Sequence, residues 1–352
     1  MTDPRSSVHR AALHRAWAGY GDPRTIVSVS DVSANVSTNH VYRLGLDDGS
    51  TVFAKVSSYG SYFLFAEDHD RIHELVELLR PGRYGGVLAD VLAKDGRVYT
   101  WYDRTMWAAL YEEVERKHSL PRILSEAQVE NLGRVIAELH LECSRLAPEI
   151  PLTSKSIKSD AIHLLDLLEN PYTWHGFGLA EDDIATLRRH THDFLMNLED
   201  IRYDYWQKIP VLIDWNLGNF SVDLAADGTF SLFSRWDYDW FRIEPRMLDF
   251  YFLSRVSSRT GDRTHFTYAS HTLTEPKFVR FLRAYHEVYP LSEADIRFIP
   301  EVYRFFLLNY VVLEGARFFR PDFATRFRRD AAQRYLPELE RIDISPLLAI
   351  LD

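Results

Sequence analysis

The sequence predicts an α+β protein in which an N-terminal antiparallel sheet precedes a larger, mostly helical part. Between residues 26 and 102, β-rich segments alternate with turn signals such as Asp47-Asp-Gly49 and Asp95-Gly96. Beyond residue 125, apolar residues recur mostly at helical spacing. Strands followed by helices are typical of a segregated α+β architecture. We therefore predict two domains, residues 1–102 and residues 103–352.

Composition excludes several classes of protein. The net charge of −10 argues against a nucleic-acid binder, which would need a basic surface. No run of about 18 apolar residues is present, so we expect no membrane span. The N-terminus lacks the pattern of a signal peptide, and the single cysteine, Cys143, excludes an internal disulfide. We therefore expect a cytoplasmic protein whose oligomeric state is open.

The N-terminal elements follow from short-range patterns. Residues 6–20 predict a helix that starts at a serine, and residues 39–46 and 50–56 predict two strands joined by the Asp47-Asp-Gly49 turn. The second of these strands carries Lys55. Residues 61–80 predict a helix whose apolar residues lie near one face: Leu64, Ile72, Leu75 and Leu79.

A second hairpin is predicted over residues 86–102, with its turn at Asp95-Gly96. It would complete a five-stranded antiparallel sheet, and the chain would leave that sheet near Tyr102-Asp103. Ahead of the Lys55 strand, the loop 33–39 contains Ser37 and Asn39, and its small polar residues are compatible with a phosphate cradle.

The C-terminal part begins with a capping-box signal, Ser125-Glu-Ala-Gln128. The helix after it carries an apolar stripe: Leu132, Val135, Ile136 and Leu139. His140 lies at the end of this stripe, where we expect a buried structural histidine rather than a catalytic base. Further helical patterns follow between residues 151 and 210 and again from residue 275.

Two neighbouring stretches carry the chemistry. Residues 211–223 and residues 232–239 each begin as an apolar strand and end in carboxylates or amides, and Asp227-Gly228 between them is a strong hairpin signal. A hairpin would bring Asp237 back beside Asp214 and Asn219. Carboxylate and amide oxygens are ligands that a hard cation such as Mg²⁺ prefers. The two stretches therefore predict a divalent-metal site.

These stretches resemble the motifs of aminoglycoside phosphotransferases and their relatives, the choline kinases and type II homoserine kinases. Asp214-Trp-Asn-Leu-Gly-Asn219 is similar to their D-x-x-x-G-N run, and Asp237 to Asp249 is similar to their D-x-D-x-x-x-x-x-P-x-x-x-D block. Leu132 to His140 resembles the L-G-x-x-L-A-x-L-H helix of the same family. The resemblance implies a protein-kinase-like fold with a small sheet lobe and a larger helical lobe.

The resemblance also implies an activity, in which the γ-phosphate of ATP, or of GTP, passes to a hydroxyl of a small metabolite such as a sugar, amino sugar, amino alcohol or aminoglycoside-like acceptor. Asp214 would accept the hydroxyl proton, and Asn219 and Asp237 would hold Mg²⁺ with help from Asp239. Asp249 would brace the catalytic loop.

Three further assignments follow from the same resemblance. Lys55 would contact the nucleotide phosphates, and the polar loop with Ser37 and Asn39 would lie over them. An acid of the following helix, either Glu67 or Asp68, would pair with Lys55; the apolar register does not separate the two.

The sequence departs from the family pattern at three places. Leu212 stands where the family usually has a histidine, Asn216 takes a place often held by histidine, and Arg235-Trp236 precedes Asp237 where an aliphatic residue is usual. The principal base and metal residues remain. The alternative is an inactive pseudokinase that serves as a nucleotide-binding or regulatory module.

Overall fold

The computed structural model describes residues 4–33, 39–262 and 268–352, without the side chains of residues 4–7 and 318. The chain divides into two compact units. The first comprises Met1–Glu115 and Ser234–Asp239, and the second comprises Arg116–Phe233 and Trp240–Asp352. The predicted α+β class is confirmed, because the first unit is built on an antiparallel sheet and most of the second is helical.

The first unit contains two long helices and seven strands among its described residues. Their bounds are α1 Pro4–Tyr20, β1 Ile26–Asp31, β2 His40–Leu46, β3 Thr51–Ser57, α2 Tyr62–Leu79, β4 Ala93–Lys94, β5 Arg97–Val98, β6 Thr100–Tyr102 and β7 Trp107–Glu112. The two predicted turns are present, since Gly49 and Gly96 adopt φ values of 83° and 75° that favour glycine.

The main sheet has five antiparallel strands in the order β1-β2-β3-β7-β6. The expected number of strands is therefore right, but the expected composition is wrong. Strands β4 and β5 form a separate two-stranded pair, and the fifth strand is β7, which the sequence analysis overlooked. Its signal was the apolar run from Met106 to Tyr111.

The expected exit of the chain near Tyr102-Asp103 is also wrong. The Asp103 amide donates to the Met106 carbonyl at 3.1 Å, and Tyr102 pairs with Trp107 across the hairpin. The chain therefore turns back into the sheet as β7, and the first unit continues to Glu115.

The two faces of the sheet are covered by different helices. Ala54 and Val56 of β3 belong to a buried cluster with Leu13 and Trp17 of α1. Because side chains alternate along a strand, Lys55 lies on the opposite face. On that face the ring of Tyr111 contacts His69 of α2, with 5.5 Å between the ring centroids.

The second unit is mostly helical. Its α-helices are α3 Glu126–Leu146, α4 Ile157–Glu169, α5 Glu181–Asp200, α6 Phe250–Val256, α7 Pro276–Val288, α8 Glu293–Phe306, α9 Gly315–Phe318, α10 Pro321–Asp330, α11 Leu336–Leu339 and α12 Ser345–Leu348. Two π-helical segments, Leu307–Leu313 and Ala331–Tyr335, continue α8 and α10.

Helix α3 begins at the predicted capping box, where the Ser125 side chain accepts a hydrogen bond from the Gln128 amide. Its apolar stripe is buried, as the spacing predicts. Gly133 allows α3 to approach α7 closely, since a Cβ atom there would lie 2.4 Å from the Phe281 carbonyl oxygen. None of the helices among the described residues combines the length and apolarity needed to cross a membrane.

Short strands in the second unit support the loop that carries Asp214. Strand β8, Ile209–Val211, pairs with β11, Arg242–Glu244. Strands β9, Phe220–Leu224, and β10, Phe230–Arg235, form the predicted hairpin. Its turn has Gly228 at φ 84°, and the Ala225 amide donates to the Thr229 carbonyl at 2.8 Å.

Candidate active site

Lys55 and two aspartates form a buried charge cluster in the first unit. The Lys55 Nζ atom lies 3.2 Å from Asp237 Oδ1 and also contacts Asp239 Oδ1. The exposed fractions of the three side chains are 6% for Lys55, 35% for Asp237 and 13% for Asp239. The structure therefore brings Lys55 together with two aspartates that lie about 180 positions after it in the sequence.

The backbone places these aspartates by pairing their segment with residues 87–89. The Arg235 amide donates to the Val87 carbonyl at 2.7 Å, and the Ala89 amide donates to the Arg235 carbonyl at 2.9 Å. Asp237 then adopts a φ of 68°, an uncommon conformation for a residue other than glycine. Such strained positions concentrate at functional sites.

The pKa values of the cluster reflect burial opposed by charge. Burial alone would lower the pKa of Lys55, but the carboxylates of Asp239 and Asp237 raise it overall. Burial would raise the pKa of Asp237, but the cations of Lys55 and Arg235 hold it below its usual value. Burial raises the pKa of Asp239 despite Lys55 and a hydrogen bond from Asn39. Lys55 therefore keeps its charge and offsets part of the negative charge of the acid pair.

Arg235, which precedes the departure at Trp236, is fully buried. Its guanidinium carbon lies 5.7 Å from the ring centroid of Tyr238, and its charge lowers the pKa of Asp237. This buried cation, next to the departure at Trp236, thus adds positive potential beside the cluster.

Tyr111 and His69 link the cluster to α2. The His69 Nδ1–H donates to the Phe65 carbonyl at 2.6 Å, so His69 Nε2 accepts the hydrogen bond of the Tyr111 hydroxyl at 2.5 Å. Burial raises the pKa of Tyr111, Lys55 lowers it, and the nearby carboxylates, including Asp68, raise it further. Sequence reasoning did not single out Tyr111, because a tyrosine in an apolar run carries no distinctive pattern.

The acid predicted to pair with Lys55 stays a prediction. Among the described residues, the ion partners of Lys55 are Asp237 and Asp239. Asp68 lies on the same face of α2 as the buried stripe, because Ile72, Leu75 and Leu79 come four, seven and eleven residues after it. Glu67 lies one position off this stripe.

Of the polar residues expected over the phosphates, Asn39 lies beside Asp239, and Ser37 falls outside the described residues.

In the second unit, the loop that carries Asp214 is strained. Ile213 has a φ of 60°, and the Asp214 amide donates to the Leu212 carbonyl at 2.7 Å. This γ-turn with a positive φ is rare, and a β-branched residue makes it costlier. The Asn219 Nδ2 atom donates to the Asp214 carbonyl at 3.3 Å. The amide group of Asn219 is thereby oriented with its carbonyl oxygen turned away from the Asp214 backbone.

Asp249 braces this loop from inside the second unit. Its Oδ1 accepts the Ile213 amide at 2.6 Å, and its Oδ2 accepts Trp215 Nε1 at 2.6 Å and His140 Nε2 at 2.8 Å. Since Nε2 donates, His140 Nδ1 accepts the hydrogen bond of the Tyr285 hydroxyl at 2.9 Å. The expected burial of His140 is confirmed.

Leu212 and Trp215 are both buried beside Asp214. Leu212, at the position where the family usually has histidine, is 4% exposed and packs as a core residue. Trp215, which is fully buried, supplies a ring N–H to Asp249. The sequence offered no signal for this bond, because a tryptophan after Asp214 reads equally well as a core residue.

Comparison with solved structures shows which fold carries these residues. An amicoumacin kinase in complex with AMP-PNP and Ca²⁺ superposes with a TM-score of 0.64 at 15% identity, covering 98% of this chain and 97% of that chain. A microcompartment-associated aminopropanol kinase gives 0.61 at 17% identity, covering 96% and 100%. A GDP complex of an aminoglycoside 2'-phosphotransferase gives 0.56 at 14% identity, covering 92% and 98%. The chain has the fold of these small-molecule kinases.

The likeness extends over nearly the whole chain, so the kinase-like fold predicted from the two motif blocks is confirmed. No protein-family model and no curated protein matches the sequence. At sequence identities of 14–17%, these structural matches show the fold alone.

Proposed function

We propose that the protein is a small-molecule kinase that transfers the γ-phosphate of ATP, or of GTP, to a hydroxyl group of a small metabolite. The observation that carries the proposal is the buried cluster of Lys55, Asp237 and Asp239. The cluster occurs in a fold shared with an amicoumacin kinase solved with AMP-PNP, an aminoglycoside phosphotransferase solved with GDP, and an aminopropanol kinase.

The donor set of the proposed metal site fits Mg²⁺. Asp237 and Asp239 would supply carboxylate oxygens and Asn219 would supply an amide oxygen, all of them hard ligands. The contacts of Lys55 with both carboxylates show that their oxygens lie close to one point. Bound Mg²⁺ would neutralise charge on the phosphates of the donor.

The remaining steps belong to the side chains of this chain. Lys55 would bind the donor phosphates with an ammonium group whose raised pKa keeps it charged at neutral pH. Asp214 would orient the acceptor hydroxyl and take its proton. The brace from Asp249 would hold Asp214 in place, so that little reorganisation accompanies the transfer.

An aromatic cluster in the second unit is suited to binding the acceptor. Trp240 stacks on Tyr310 with 4.0 Å between ring centroids and contacts Phe306 and Phe252. Because Arg242 pairs with Val211, Trp240 precedes β11 at the same end of the ladder at which β8 leads into Asp214. We propose that Trp240, whose ring is partly exposed, forms one wall of the acceptor site.

The direct test is release of nucleoside diphosphate from Mg-ATP and Mg-GTP with a panel of sugars, amino sugars, amino alcohols and aminoglycosides. We expect acceptor-dependent release that falls by a factor of about 10²–10⁴ in Asp214→Asn, as for the loss of a general base. Asp227→Asn is the matched control, since asparagine before Gly228 suits the exposed hairpin turn.

Three results are distinguishable. Release that depends on the acceptor and on Asp214 would support the kinase and name its substrate class. Equal release by Asp214→Asn would overturn the assignment of the base. Nucleotide binding without turnover by any acceptor, together with an unchanged affinity in Lys55→Met, would favour the pseudokinase.

A further inference from the structure

The loop that carries Asp214 is held by two carboxylates, one on each side of that residue. Asp249 accepts the Ile213 amide at 2.6 Å, and Asp262 Oδ2 accepts the Leu217 amide at 2.8 Å. Asp214 lies between these two attachment points. The brace from Asp249 follows from the motif block, whereas Asp262 lies outside every motif in the sequence.

Asp262 is itself fixed by its backbone. Its amide donates to the Arg122 carbonyl at 2.9 Å, and Arg122 Nε donates to the Asp262 carbonyl at 2.7 Å. Gly261 adopts a φ of 68°, and a Cβ atom there would lie 2.2 Å from the Arg122 carbonyl oxygen. This close approach requires glycine, and together with the two hydrogen bonds it holds the backbone of Asp262 against Arg122.

The Leu217 amide needs such an acceptor. Leu217 is 6% exposed, and it lies in the short 3₁₀ turn Leu217–Asn219 that leads from Asp214 to Asn219. The bond to Asp262 is partly buried, and a carboxylate is a stronger acceptor than a neutral oxygen. Losing this bond would release the part of the loop that sets the distance between Asp214 and Asn219.

We propose that Asp262 is a positioning residue that acts through the Leu217 amide to fix the spacing of the proposed base Asp214 and the proposed metal ligand Asn219. This inference rests on the proposed function. It concerns catalysis rather than folding alone, because the contact is made to the reactive loop itself. A misplacement of about 1 Å in such a loop can cost on the order of a hundredfold in rate.

The test compares Asp262→Ala and Asp262→Asn with Glu275→Ala. Glu275 Oε2 accepts the Arg259 amide at 2.6 Å, so this control removes a carboxylate-to-amide bond three residues from Asp262 without touching the loop. Asparagine at position 262 retains an acceptor oxygen for Leu217. The measurements are kcat and KM for nucleotide and acceptor, and amide hydrogen exchange of a peptide spanning residues 215–220.

We expect Asp262→Ala to lower kcat about tenfold to a hundredfold, with KM for nucleotide within about twofold, and to accelerate exchange at Leu217. Asp262→Asn should stay within about threefold of the wild type, and Glu275→Ala should leave both measurements unchanged. Equal kcat and equal exchange in Asp262→Ala and Glu275→Ala would overturn the proposal.

Failure of the proposed function gives a different result. A wild-type protein without turnover would overturn the kinase assignment and the catalytic role of Asp262 together. Accelerated exchange at Leu217 in Asp262→Ala would still show that Asp262 anchors the loop. Faster exchange with unchanged kcat in an active enzyme would overturn the positioning role alone.

Discussion

Replacement of Lys55 by methionine removes the cation from the buried cluster while keeping most of the volume of the side chain. Asp237 and Asp239 would then face each other without the ammonium group that now contacts both. Breaking a buried ion pair by removal of one partner costs roughly 3–5 kcal/mol. Because the Asp237 side chain is 35% exposed and solvent screens it, we expect the lower end, about 3 kcal/mol at pH 8.

The stability lost in Lys55→Met should depend on pH. In the wild type, Lys55 holds the pKa of Asp237 below its usual value, so this group stabilises the fold above the pKa of the unfolded state. In Lys55→Met, burial no longer opposed by Lys55 should raise the pKa of both carboxyl groups. A group whose pKa is higher in the folded than in the unfolded state makes the fold less stable as pH increases. The gap between wild type and variant should therefore widen from pH 5 to pH 8.

Urea unfolding followed by circular dichroism at pH 5 and pH 8 measures this gap. Lys55→Arg is the matched control, because it retains the positive charge and should recover most of the stability. Excess Mg²⁺ should stabilise Lys55→Met more than the wild type, since a bound cation would replace the ammonium group. A Lys55→Met protein as stable as the wild type at pH 8, or a gap that narrows with rising pH, would refute the reasoning.

Two further predictions concern single charges. Glu244 is fully buried; it accepts the Ile157 amide at 2.8 Å and the Tyr203 hydroxyl at 2.6 Å, and burial raises its pKa to about 7. Its contribution to stability falls as pH rises from about 4.5 to about 7, so the unfolding free energy of Glu244→Gln relative to wild type should increase by about 3 kcal/mol across that window; a difference that is constant from pH 4 to pH 8 would contradict this. For the acid on α2, Asp68→Asn should lower kcat/KM for nucleotide by about 10–100-fold, whereas Glu67→Gln should change it less than threefold. The reverse ranking in steady-state assays would assign the pairing with Lys55 to Glu67.

Local signals in the sequence predicted much of this protein. The turns at Gly49, Gly96 and Gly228 could be predicted because a positive φ strongly favours glycine. The apolar stripe of α3 could be predicted because a packed helix turns one apolar face towards the core. The resemblance of the two motif blocks to those of aminoglycoside phosphotransferases predicted the kinase-like fold, which the solved structures confirm.

The tertiary structure decided the pairings that local patterns do not encode. The place of β7 between β3 and β6 is one of these, and the docking of residues 234–239 onto residues 87–89 is another. The same holds for Lys55 with its two aspartates, Trp215 with Asp249, and Asp262 with the Leu217 amide. Hydrogen bonds and ion pairs depend on distances of about 3 Å between groups far apart in the chain. Those distances are fixed only when the whole chain has packed.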